Sequence, residues 1–269
     1  MCMFVGEIER VSSTRIFASR GADGRQQIVY SMDLDTRSEV AMVLPLPVVP
    51  GSGDDALRFI DLSGYADFFD DLARFYLASR AGGDDDDGMV SFDEAPPLVV
   101  HQVGAFEASY VPSHADWGRL DPRFRFDGVV WNELRVYDDF GFAVFQLSPC
   151  ADLGTQRVHP MAFAFESRTP EQFFFPTIHV HDGQVHEVAE FDHDLYCQLP
   201  AGHPLLESFA PLALHGTPDA RTWTRSPGKA GVFVNAERAL GLINGNTPIH
   251  MCQIHGAFAN QDVLVATDG

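Results

Sequence analysis

Residues 158–167 read Val158-His159-Pro160-Met161-Ala162-Phe163-Ala164-Phe165-Glu166-Ser167. Met161, Phe163 and Phe165 alternate with Ala162 and Ala164. A period of two places successive side chains on opposite faces of a strand, so this run predicts a β-strand with one large-residue face and one small-residue face. The same short β-type runs recur on both sides of it. Upstream lie FVGEIERV (4–11), TRIFASR (14–20), QQIVYSMDL (26–34) and VAMVLPLPVV (40–49), with Gly21-Ala22-Asp23-Gly24 as turn chemistry between the second and third. Prolines at 45, 47 and 50 are expected to end the fourth run, because each lacks the N–H a central strand needs. Downstream of residue 98 come LVVHQVGAFEASYV, FGFAVFQL, FFFPTIHVH and QVHEVAEF.

One segment carries a helical period. Tyr65, Phe68, Phe69, Leu72, Phe75 and Tyr76 recur at i, i+3, i+4 and i+7, which predicts an amphipathic helix whose aromatic stripe packs into the core. Ser63 is its candidate cap, Asp70 and Arg74 its candidate i,i+4 pair, and Gly82-Gly83 its stop. A second, short helix is expected over residues 235–243 with Asn235 as N-cap. The fold class is therefore α+β: a predominantly antiparallel β-sheet protein with one prominent amphipathic helix near 64–80. Residues 1–269 read as one domain, with a candidate subdomain junction near 82–90. The acidic run Asp84–Asp87 there lacks the alternation of a calcium loop and reads as a solvated surface loop.

Composition narrows the function classes. The chain carries 38 acidic against 18 basic side chains, a net charge of −20. That field repels phosphate, so neither nucleic acid nor an anionic membrane is an expected partner; a small molecule or peptide is. Lys229 is the sole lysine, and the Arg-over-Lys bias suggests a bacterial source. The opening MCMFVGEIERVSSTR has no basic n-region, no run approaches the length of a membrane span, and four scattered cysteines read as thiols. The expected location is the cytoplasm.

Histidine is concentrated in one place. Four of the eleven histidines fall between 179 and 193. Asp182-Gly183 between two β-type runs is a two-residue hairpin signal. Counting outward, His181 would face Gln184, Val180 would face Val185, and His179 would face His186. His179, His181 and His186 would then share one face, and Ile178, Val180 and Val185 the other. Three imidazoles placed so could hold Zn²⁺ or copper with an open position for water. His159 and His193 are further candidate ligands, and Glu187 a candidate general base. This layout is similar to the H-x-H-plus-His ligand sets of carbonic anhydrases and cupins, over the hairpin alone. The other reading of the same residues is the polar, solvent-facing side of a one-sided sheet. His250-Met251-Cys252-Gln253-Ile254-His255 is a second candidate N/S ligand group, if a turn near Gly256 brought its members together. His193 and Cys197 share a strand face by parity.

A separate reading starts from Cys2. Loss of Met1 would leave an N-terminal cysteine whose α-amine could act as base for its own thiol. Met1-Cys2, followed by Arg20-Gly21-Ala22-Asp23, resembles the opening of the choloylglycine hydrolases among N-terminal-nucleophile enzymes. Ser19 and Gly21 depart from that pattern, and the resemblance covers about twenty residues. It implies an amidohydrolase with Cys2 as nucleophile. Taken together, the residues support a metal-dependent enzyme on the 179–186 hairpin as the leading expectation, the Cys2 amidohydrolase as the alternative, and a non-enzymatic binding or interaction protein as the third.

Overall fold

The structure is a computed structural model and describes residues 3–77, 101–103, 106–126, 128–149, 155–200, 203, 212–213 and 222–267. The run Asp84–Asp87, the Gly82-Gly83 stop, the junction near 82–90 and Cys2 lie outside the described residues.

Strands dominate, and among the described residues the pairs of strands are antiparallel with one exception. A five-stranded sheet has the order β1 (Met3–Val5), β4 (Val40–Leu46), β8 (Gly141–Leu147), β7 (Phe106–Val111), β6 (His101–Val103). An eight-stranded sheet has the order β12 (Leu212–Ala213), β13 (Thr222–Arg225), β14 (His250–Ala259), β11 (Val188–Cys197), β2 (Arg10–Arg20), β3 (Gln26–Asp35), β9 (Gln156–Phe165), β5 (Leu57–Ile60). The exception is β11 beside β2, a parallel pair over His193–Cys197. β10 (Gln172–Phe175) and β15 (Val263–Ala266) form a separate antiparallel ribbon.

Alternation along each strand sorts side chains into three cores. Between the sheets lie Met42 and Leu44 of β4, Phe145 of β8, Ile28 and Tyr30 of β3, and Met161, Phe163 and Phe165 of β9. Ala41 and Val43 of β4 and Phe142 and Val144 of β8 point out of the five-stranded sheet, under Trp117, Phe124 and Trp131. Val29, Ala162 and Ala164 point out of the eight-stranded sheet, against Phe68, Phe69 and Leu72. The small face of β9 is what lets this aromatic layer sit close over the sheet. Runs such as VAMVLPL are continuously apolar because both faces of the strand are buried.

Helical structure differs in detail from expectation. α1 spans Phe68–Leu77, and Ser63–Tyr65 before it is a 3₁₀ turn with no side-chain cap. Arg74 pairs with Asp71 at 3.0 Å rather than with Asp70. Asp70 instead reaches Arg15 at 3.2 Å and Arg157 at 2.9 Å, which ties α1 to β2 and β9. A short α2 covers Gly128–Glu133. Residues 235–243 form turns, not a helix, although Asn235 Oδ1 does accept from the Arg238 N–H at 3.0 Å. Pro45 lies inside β4, past the reach of β1, which pairs only with residues 41–43.

Candidate functional site

The segment after β10 is held by the sequence that precedes β15. Asp262 Oδ1 accepts from the backbone N–H of Thr177 at 2.8 Å and of Ile178 at 3.0 Å. Its other oxygen accepts from the Tyr137 hydroxyl at 2.5 Å. Asn260 continues the line. Its Oδ1 accepts from the His179 N–H at 2.7 Å, and its Nδ2 donates to the carbonyls of His179 at 2.9 Å and His186 at 3.0 Å. Neither residue was singled out from the sequence, where the polar cluster Asn260-Gln261-Asp262 between two apolar runs was the available signal.

These contacts replace the expected hairpin. No strand ladder flanks Asp182-Gly183; Val180 instead bridges Met3 in parallel, with the Phe4 N–H donating to its carbonyl at 2.9 Å. Gly183 adopts φ +73, and Asp182 Oδ1 takes the Gln184 N–H at 3.0 Å, so the turn forms without the pairing. His179 therefore does not face His186. His186 is exposed and its Nε2 meets Asp182 Oδ2 at 2.9 Å. Glu187 is exposed, with its carbonyl accepting from the Asn260 N–H.

The other histidines collect elsewhere. His181, His179 and His193 form a stack, with ring centroids 5.3 Å and 5.2 Å apart and interplanar angles of 16° and 18°. Phe191 closes on His179 at 4.3 Å, and Phe4 meets His181 edge-on at 5.9 Å. His179 and His193 are buried. Stacked rings present faces to one another, and this is an aromatic packing arrangement rather than a set of nitrogens aimed at one point. Burial pushes the pKa of His179 down to about 2 and of His181 down to about 4, so these imidazoles are neutral. His159 lies apart, its ring against Phe106 at 4.0 Å and its Nδ1 3.1 Å from the Pro160 carbonyl.

The second candidate group also fails to converge. His250 and Cys252 face the inter-sheet side of β14 and are buried, whereas His255 points to the other face, 3.4 Å from Asp194. The strand runs through Gly256 to Ala259 with unbroken register, so no turn reunites them. Burial lowers the pKa of His250 to about 4 and raises that of the Cys197 thiol, with Cys252 a second cause for the thiol. A thiol so placed is inert.

The metal-enzyme expectation is corrected by these observations. Among the described residues, no group of three or more His, Cys, Asp or Glu side chains could hold a metal ion. The zinc, copper and metallohydrolase readings of His179, His181, His186, His159 and His193 fall with it. The amidohydrolase reading rests on Cys2, which lies outside the described residues. Arg20 is spent on the carbonyls of Gly24 and Pro170, and Asp23 on the Arg25 N–H and on Arg58, so both serve the β2–β3 turn and its surroundings. Among the described residues no helix is long and apolar enough to cross a membrane.

No protein-family profile matches the sequence. Among solved structures, the chain is similar to baculovirus P35, with 13% identity, a TM-score of 0.50 and full coverage of both chains. It is also similar to a mutated baculovirus P35 after caspase cleavage, at 12% identity and a TM-score of 0.45, over 95% of this chain and 100% of that one. A third similar structure is that of the caspase-8/P35 complex, at 13% identity and a TM-score of 0.47, over 96% and 97% of the two chains. At these identities the likeness to P35 is one of fold.

Proposed function

We propose that this chain is a non-enzymatic protein-binding protein whose partner is a caspase-type protease. The observation that carries this reading is the end-to-end correspondence of its fold with baculovirus P35, a protein described after caspase cleavage and in complex with caspase-8. His179, His250 and Cys197 are buried, and burial holds the two imidazoles neutral and the thiol protonated. A direct test titrates active caspase-8 with the purified chain and follows hydrolysis of a fluorogenic peptide. The reading expects activity to fall in proportion to added chain. Full activity in the presence of a molar excess would overturn it.

A further inference from the structure

We infer that the outer edge of β14 is a strand-addition site for an extended, basic segment of a second protein. The inference does not rest on the protease reading, because it concerns a different surface and a different kind of contact.

The edge follows from hydrogen-bond parity. The Asn260 N–H donates to the Glu187 carbonyl, and the β11–β14 register runs without a shift from that end to Cys197 opposite His250. Even-numbered residues of β14 therefore bond β11, and odd-numbered residues direct their N–H and C=O groups the other way. On that side β13 pairs only Thr224 with Met251 and Arg225 with His250. Beyond Met251, the Cys252 thiol donates to the Gln253 carbonyl at 3.9 Å, and the Gln253 N–H and the backbone groups of His255, Ala257 and Ala259 have no partner among the described residues. The side chains of these four residues are also exposed.

Such an edge is a template for another strand unless it is blunted by lysine, proline or a bulge. Residues 250–259 contain no lysine and no proline, and the register passes through Gly256 unbroken. A notch of about 440 Å³ opens where β13 leaves β14, lined by Tyr76, Thr222, Thr224, Met251 and Gln253. It lies at the start of this stretch of edge and can take one side chain of an added strand, as pockets beside strand-addition sites do.

Charge selects the occupant. Register places Asp194 opposite Gln253, Asp192 opposite His255, and Glu190 opposite Ala257. Directly opposed residues share a face, so three carboxylates line the strand next to the edge. Asp194 accepts from Gln253 at 2.9 Å, and Asp192 from the Ser13 N–H at 2.7 Å. Arg15 on the neighbouring β2 is engaged by Asp70. An added strand would lie about 4.8 Å outside β14, within reach of the carboxylate row for lysine or arginine side chains. A second copy of the chain would bring a second carboxylate row and a second net charge of −20, so self-pairing is opposed.

The test uses the intact chain and two labelled heptapeptides, one alternating lysine with valine and one alternating glutamate with valine. Fluorescence anisotropy should show the lysine peptide binding more tightly, with the preference shrinking at high salt. Amide exchange should slow at Gln253, His255, Ala257 and Ala259 when it binds. Ala257→Pro removes an outward N–H and leaves the β11 bonds, and should weaken binding by about tenfold. Should that variant not fold, Glu190→Lys decides: it should weaken the lysine peptide about fivefold and favour the glutamate peptide. Equal binding of the two peptides, or unchanged exchange at the four amides, would overturn the inference. So would protection of those amides that grows with protein concentration without peptide, since that would make a second copy the occupant.

Discussion

The imidazole of His193 on β11 lies against that of His179 at 5.2 Å and 18° between planes. Its other neighbour in the core is Phe191 at 5.1 Å. These contacts join the eight-stranded sheet to the segment that follows β10. His179, His181 and His193, candidate metal ligands in the sequence, stack as aromatic packing, and burial keeps His179 and His181 neutral.

That neutrality sets a pH dependence. The unfolded chain protonates its histidines below about pH 6.5, whereas folded His181 and His250 resist until about 4 and His179 until about 2. The unfolded state binds more protons in that window, so stability falls on acidification from 6.5 towards 4. Asp262 runs the other way: burial raises its pKa to about 6, so its proton uptake favours the fold between about 6 and 4. Three imidazoles outweigh one carboxyl. Urea unfolding at pH 6.5 and 4.5 should show a net loss of roughly 5 kcal/mol; unchanged stability would contradict the buried, neutral stack.

Asn260 carries the segment that a hairpin ladder was expected to carry. Asn260→Ala removes three hydrogen bonds to the backbone of His179 and His186. It should destabilise by about 2–3 kcal/mol. His186→Ala, at an exposed side chain, should stay within about 0.5 kcal/mol of the parent. Equal losses in the two variants would show that the bridge is not what holds the turn.

The residues that decided the fold were legible for a physical reason. Along 158–167 the alternation of Phe with Ala states both that β9 is a strand and that its two faces meet different neighbours, and both are seen. The period of 65–76 likewise marks where α1 packs. The hairpin was misread because its inference assumed a ladder and a solvent face. Here a side-chain amide 81 residues away replaces the ladder, and the face carrying His179 and His181 is covered. Ile178 and Val180 do alternate away from them into the outer core, so the local period was right and the tertiary setting was not readable from it. The stretch of β14 without a partner among the described residues was equally invisible, since it depends on where β13 stops pairing.

The small face of β9 gives a packing test. Ala164→Leu adds three carbons beneath the aromatic layer of α1 and should cost about 1–3 kcal/mol by overpacking. Phe163→Ala on the opposite face should cost about 3–5 kcal/mol by leaving a cavity between the sheets. Thermal unfolding of the two variants would measure both; tolerance of the leucine would mean that the layer over β9 is loosely packed.

Metal removal should be without effect. The chain as purified and after dialysis against a chelator should melt at the same temperature, and His181→Ala should have the same metal content as the parent, because the rings stack rather than converge. A lower melting temperature after chelation would restore the metal as a structural element.

The central claim is that this fold binds a caspase-type protease as a protein partner. Native mass spectrometry of the chain mixed with active caspase-8 tests it most directly. The account predicts a species with the summed mass of chain and protease, lost when the protease is first blocked at its active site. Two separate masses at every ratio, with the protease still able to cleave its peptide substrate, would contradict it.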